Sequence, residues 1–306
     1  MNSPSPVSLT HPDYARESRS SWPCRDHPRA GLPHTAPAAE SGRWAAVRPP
    51  RMRGMSMDLG VQGRTVIVTG ASGGIGREVA RAFAAEGARL VLSYRSGREQ
   101  AEELARELGD GASAVRYDMG DPDSADELVD AAVRSTGRVD VLVHSAVMWG
   151  KDDWTADGFE TILDAQWTRT LQVNIEGAVR LTRAVTPVMR TSGWGRIVHL
   201  SSSLARDGAA GAEYYAASKA ALHGFSRSAA FSLGASGEIL SNVAMLGLTR
   251  TDTNGFVTDA EGEHYSALAP IKRLLDAREV ARPIVFLASA ANAGITGQVV
   301  PITGGS

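Results

Sequence analysis

Short runs of β-branched and apolar residues alternate with stretches of helical spacing from residue 63 onward. The first run, "RTVIVTG" at 64–70, passes into a predicted helix from about Ile75 to Glu86 and then into "ARLVLSY" at 88–94. Further strands are predicted at 113–117, 139–144, 196–201, 239–245 and 298–302, with helical patterns between them. Such alternation implies an α/β protein in which a parallel sheet carries helices on both faces, and right-handed crossovers then make it doubly wound. No internal repeat or linker follows residue 60, so one domain over 55–306 is expected.

The first 54 residues lack this periodicity. They hold nine of the fourteen prolines, three of the seven histidines and eight arginines, which predicts a disordered extension. No apolar core of a secretory signal is present, and Asp13, Glu17, Asp26 and Glu40 weaken a transit-peptide reading. Met55 and Met57, just before the first strand, are natural starts.

Composition narrows the function. The chain has 306 residues, 43% of them hydrophobic, with a formal net charge of -2. That balance describes a soluble globular protein with no signature of nucleic-acid binding. The one cysteine, Cys24, excludes an intramolecular disulfide, and no apolar run reaches the roughly 18 residues of a membrane helix. A reducing cytoplasm fits best, with neither a membrane nor a metal expected.

The stretch "TGASGGIGRE" at 69–78 lies between a predicted strand and helix, the context a phosphate cradle needs. Gly70, Gly74 and Gly76 allow a tight turn, approach to a pyrophosphate and helix-to-strand packing, while free N–H groups at the helix start attract anions. The plain alternative is a glycine turn. After the second strand the chain reads Ser93, Tyr94, Arg95, Ser96, and the first carboxylate is Glu99. An NAD site usually offers an acid there, whereas a guanidinium suits a 2'-phosphate, so Arg95 points to NADP(H) with NAD(H) as the alternative. Arg95 as a solvated loop cation is the other reading.

In "AEYYAASKAAL" at 212–222, two tyrosines precede Lys219. Residues four apart share a helix face, so Tyr215 can face Lys219 and Tyr214 cannot. An ordinary solvated helix pair would look the same.

These residues resemble the short-chain dehydrogenase/reductase family, and more closely its 3-oxoacyl-(acyl carrier protein) reductase type. The resemblance covers 60–305 and rests on "TGASGGIG" at 69–76, Asp118, Asn174 in "LQVNIEG", "SSS" at 201–203, "YAASK" at 215–219 and "ITGQVVPITGG" at 295–305. It implies a Rossmann-type fold and a homo-oligomer, most often a tetramer, with helices such as 174–190 and 212–233 between subunits. It also implies a catalytic set of Ser202, Tyr215, Lys219 and Asn174. Ser202 lies thirteen residues before Tyr215 and twenty-eight after Asn174. By the same resemblance, cofactor contacts fall on Gly70, Ser72, Gly74, Ile75, Gly76, Arg95, Asp118, Met119, Ala146, Lys219 and Thr251.

The implied reaction is NADPH-dependent reduction of a 3-oxoacyl- or polyketide-like ketone to a secondary alcohol. The site then needs an acid beside the nicotinamide. A free tyrosine has a pKa near 10, and bringing it to about 7 corresponds to roughly 4 kcal/mol favouring the phenolate. One ammonium about 4 Å away is worth about that much at an effective dielectric of 20, so Lys219, with the positive charge of the oxidised nicotinamide, is expected to lower it. Family analogy has Lys219 hold the nicotinamide ribose, Ser202 bond the substrate oxygen and Asn174 anchor a water. Tyr214 becomes a pocket-wall or packing residue.

Two segments depart from the family pattern. "HSAV" at 144–147 stands where "NNAG" is usual, which puts Val147 in place of a glycine and makes His144 an expected hydrogen-bonded core residue. Leu246 and Gly247 replace the usual "PG", although Thr251 still stands where the family binds the nicotinamide carboxamide. Arginines that would grip a carrier protein are absent at Gly193 and Ser236, so the ketone is either free or carrier-tethered. Trp149, Trp154, Trp167, Phe256 and Tyr265 can line a pocket for a bulky or aromatic ketone, or serve as ordinary core. The competing functions are an NAD-dependent alcohol dehydrogenase working oxidatively and a non-catalytic cofactor-binding sensor or assembly partner.

Overall fold

The computed structural model describes residues 58–149 and 159–306. Residues 1–54, Met55, Met57 and Trp154 lie outside the described residues. The strands are β1 (Thr65–Val68), β2 (Arg89–Tyr94), β3 (Ala112–Arg116), β4 (Val141–His144), β5 (Trp194–Ser202), β6 (Glu238–Leu246), β7 (Thr249–Arg250), β8 (Leu275–Asp276) and β9 (Val299–Ile302). The helices are α1 (Gly74–Ala85), α2 (Arg98–Leu108), α3 (Ser124–Thr136), α4 (Asp164–Ser192), α5 (Leu204–Asp207), α6 (Glu213–Gly234), α7 (Gly255–Leu268) and α8 (Ala277–Leu287).

Seven strands form one parallel sheet in the order β3-β2-β1-β4-β5-β6-β9, and β7 pairs with β8 apart from it. Side chains alternate across a strand, so each strand feeds two cores. Val66, Val68, Leu90, Leu92, Val141 and Val143 enter the core that contains α1 and α8 residues such as Phe83 and Ile284. Ile67, Val91 and Leu142 point to the opposite core, with Leu128 of α3 and Leu181 of α4. Burial on both faces explains why the strands read as unbroken apolar runs.

All seven sheet strands stand where the apolar runs predict them, within a few residues. β1 stops at Val68 because Gly70 takes a left-handed φ of 66° and turns the chain out of the sheet. The helix expected at 174–190 is longer, Asp164–Ser192. Residues 164–173 contain no glycine or proline to stop it, and only their sparse apolar content hid the extra turns. The β7–β8 pair has no counterpart in the sequence reading. Two-residue strands are too short to show a period.

The sheet order places the site. Chain direction across the sheet reverses between β1 and β4, and ligands of open α/β sheets bind at the carboxyl ends of strands beside such a switch. Gly70 and Ala146 follow those two strand ends.

Candidate active site

The glycine turn is built against its own protein. A Cβ at Gly70 would lie 3.0 Å from the Cα of Ala146, one at Gly74 would lie 2.4 Å from the Thr251 Cβ, and one at Gly76 would lie 2.4 Å from the Gly70 carbonyl oxygen. The first and third glycines therefore serve turn and helix packing, as expected. Gly74 makes room for Thr251 as well, which brings the two expected cofactor segments together. Gly73 precedes α1 without a side-chain cap, and the first turn of α1 carries no acidic residue. Its N–H groups fit a pyrophosphate anion.

Thr69 ties the turn to β4: its Oγ1 accepts from the backbone N–H of Ser145 at 3.0 Å and of Ala146 at 2.9 Å. Ser72 packs against Gly97, where an added Cβ would come within 2.9 Å of the Ser72 Cβ. Ile75 is half-buried against the core. Arg95 is exposed just beyond the end of β2. Asp118, after β3, is half-buried and accepts from the Gly120 N–H at 3.0 Å, and Met119 is buried against Gly177.

One contributor escaped the sequence reading. Asn254 holds Thr251: its Oδ1 accepts from the Thr251 N–H and Oγ1, each at 2.9 Å, and its Nδ2 donates to the Thr249 carbonyl at 2.7 Å. An asparagine just before α7 in "TDTN" was the available signal. Arg77 pairs with Asp252 at 2.8 Å and donates to the Ser72 carbonyl at 3.3 Å, bracing the start of α1 against the segment after β7. Only the fold brings those residues together.

Ser202 ends β5, and α6 carries Tyr215 and Lys219. Tyr215 is only 8% exposed, and the Ser202 side chain acts on its hydroxyl in the sense that favours the phenolate. Lys219, 4% exposed, donates from Nζ to the Leu200 carbonyl at 2.9 Å and lies 5.9 Å from the centre of the Tyr215 ring. The helix face shared by Tyr215 and Lys219 is therefore buried, and a solvated pair is excluded.

The protein's own groups do not by themselves lower the tyrosine pKa. Burial pushes the Tyr215 hydroxyl up to about 12, and the Ser202 side chain only partly opposes this. Burial also pushes the Lys219 ammonium down to about 8. Desolvation is the largest cause of both shifts, and the Lys219 ammonium donates to the Leu200 carbonyl.

Asn174 lies on α4, where its Oδ1 accepts from the Met148 N–H at 2.8 Å and its Nδ2 donates to the Met148 carbonyl at 2.9 Å and the Ser218 Oγ at 3.3 Å. Ser218 Oγ donates to the Tyr215 carbonyl at 2.7 Å. Asn174 thus joins the segment after β4 to α6.

His144 departs from expectation. It is buried, but neither ring nitrogen has a hydrogen-bond partner among the described residues. Its ring leans toward His199 at 5.7 Å, and burial holds both imidazoles well below their ordinary pKa, His199 at about 4. Trp149 stacks on Tyr215, and Trp167 stacks on Tyr214. Phe256 and Tyr265 sit on α7.

A glycine turn beside buried Tyr215 and Lys219 and half-buried Ser202, at the switch point of a doubly wound sheet, fits an oxidoreductase acting on CH–OH or ketone groups. Comparison with known proteins agrees. The sequence profile of a family described as "Enoyl-(Acyl carrier protein) reductase" matches residues 70–306. The 3-oxoacyl-(acyl-carrier-protein) reductase FabG of Escherichia coli is 32% identical over 81% of this chain and 98% of its own length. An L-rhamnose 1-dehydrogenase (NAD(P)(+)) of a Sphingomonas species is 35% identical over 80% and 96%. The crystal structure of a short-chain dehydrogenase/reductase from Brucella melitensis, titled a glucose/ribitol dehydrogenase, superposes with a TM-score of 0.72 at 30% identity, covering 80% of this chain and 96% of that one. The chain belongs to the short-chain dehydrogenase/reductase family, whose members use NAD(P)(H). No helix among the described residues is long and apolar enough to cross a membrane.

Proposed function

We propose that the protein reduces a ketone to a secondary alcohol with NADPH, and that Ser202, Tyr215, Lys219 and Asn174 form its catalytic set. The observation that carries this reading is the burial of Tyr215 and Lys219 on one face of α6 at the carboxyl edge of the sheet, where Ser202 ends β5. A bound nicotinamide dinucleotide supplies the hydride to the carbonyl carbon. Gly70, Ser72, Gly74, Ile75 and Gly76 would hold its pyrophosphate, and Asp118, Met119, Ala146, Lys219 and Thr251 would contact the rest of it.

The chain then manages one proton. Ser202 Oγ and Tyr215 Oη both donate to the carbonyl oxygen, and as negative charge grows there Tyr215 gives up its proton. Burial raises the Tyr215 pKa, so the residue holds that proton at neutral pH and can serve as the acid. Lys219, still mostly protonated at pH 7 with a pKa of about 8, balances the phenolate left behind. Asn174 acts by holding Met148 and Ser218 around the tyrosine.

Exposed Arg95, with no carboxylate nearer than Glu99, supports NADP(H) over NAD(H). The substrate is a 3-oxoacyl- or polyketide-like ketone, and the setting is the cytoplasm. A homo-oligomer packed through α4 and α6 fits the large, 82% exposed Phe231 on α6. The test is NADPH consumption over a ketone panel that includes free and carrier-tethered 3-oxoacyl thioesters. Turnover of secondary alcohols with NAD, and of no ketone with NADPH, would reverse the assignment.

A further inference from the structure

We propose that Trp149 sets the substrate class of this site, serving as a platform for a flat, conjugated substituent so that aryl ketones are preferred over saturated alkyl ketones. The inference deepens the ketone-reductase reading and rests on it for the reaction, though not for binding. The Trp149 indole lies within 18° of parallel to the Tyr215 ring, with centroids 4.7 Å apart. Tyr215 is 8% exposed beneath it, while Trp149 itself is 59% exposed. The indole therefore shields the phenol and keeps much of its own surface toward solvent. Such an area does nothing to fill the core.

The ring is also anchored at its root. Asn174 grips both backbone polar groups of the preceding residue, Met148, at 2.8 and 2.9 Å. That grip fixes where the Trp149 backbone begins, and the stack on Tyr215 fixes the ring. Trp167 differs: it is half-buried on Tyr214, its indole N–H bonds Asp164 at 3.0 Å, and it packs the tyrosine that has no expected chemistry.

A carbonyl oxygen that reaches Tyr215 Oη and Ser202 Oγ brings its substituents alongside the indole covering that phenol. An aryl or conjugated group can stack offset on the ring and match its quadrupole, which a saturated chain cannot do.

The test uses the full chain and two 3-oxo esters, ethyl benzoylacetate and ethyl 3-oxohexanoate, which carry a phenyl and a propyl group on the ketone. With NADPH, kcat/KM is expected to favour the aryl ester about tenfold, and Trp149→Ala to remove about one decade of that preference. Trp149→Phe keeps a stacking ring and should restore most of it. Calorimetric titration of each ester into the protein with NADP+ reads the platform without turnover, and aryl binding should weaken in Trp149→Ala far more than alkyl binding. Equal losses for the two esters, a parent without aryl preference, or no aryl binding to the parent would overturn the proposal. If neither ester consumes NADPH while the calorimetric difference holds, the reductase reading falls and the platform stands.

Discussion

Asn174 closes a two-bond clamp on the backbone of Met148, accepting from its N–H at 2.8 Å and donating to its carbonyl at 2.9 Å. Helix α4 thereby fixes the segment that leaves β4 and carries Trp149 over Tyr215. Asn174→Ala would leave two half-buried backbone groups without these partners, at a cost of about 1 to 3 kcal/mol for the unsatisfied groups. A lowered midpoint of urea unfolding is expected, together with slower turnover. An unchanged midpoint would mean that water replaces the amide without loss.

Tyr215→Phe deletes the hydroxyl and leaves the buried ring, so turnover should nearly vanish while cofactor binding stays within a few fold. Tyr214→Phe keeps the stack on Trp167 and should be mild. Steady-state rates and cofactor titration of both variants decide the matter, and the reverse ranking would overturn the choice of tyrosine.

The buried histidines predict acid sensitivity. Both folded-state pKa values lie below the unfolded value of about 6.5, so below that pH the unfolded chain binds more protons and stability falls as pH drops, down to about 4 in the case of His199. Each contributes a slope of up to about 1.4 kcal/mol per pH unit. His144→Asn, the residue usual in the family, should flatten the dependence of unfolding free energy between pH 6 and pH 5 by one such increment. An identical slope in the variant would show that His144 does not resist protonation.

Gly74→Ala places a methyl group 2.4 Å from the Thr251 Cβ, with Thr251 Oγ1 and Cγ2 also within 3 Å. Overpacking of this kind typically costs about 1 to 3 kcal/mol. Adding Thr251→Gly removes the atoms that collide, so the double variant should recover part of the loss in thermal stability. Strict additivity of the two changes would place the strain elsewhere.

Arg95→Asp would replace a charge-assisted bond to a 2'-phosphate, worth about 1.5 to 3 kcal/mol, with repulsion. The NADPH kcat/KM should fall at least about tenfold while the NADH value holds or rises. The ratio of the two in variant and parent is the informative quantity. An unchanged ratio would transfer any preference to another cation, although Arg77 is already paired with Asp252.

Local sequence alone determined the strands, the glycine turn and the helix face that Tyr215 shares with Lys219. Unbroken runs such as "VIV" and "LVL" require two covered faces, a left-handed turn after β1 requires Gly70, and four-residue spacing puts Tyr215 on the face of Lys219. These follow from periodicity and backbone sterics, which act over a few residues. Resemblance supplied the thirteen-residue step to Ser202. The remainder depended on packing between distant segments: Thr251 against Gly74, Arg77 with Asp252, Asn174 on Met148 and Trp149 on Tyr215. The direction of the Tyr215 shift belongs to the same group. Sequence shows a lysine one turn away, but the pKa is set by how completely the phenol is removed from water, and that is decided only when helix, strand end and loop close around it.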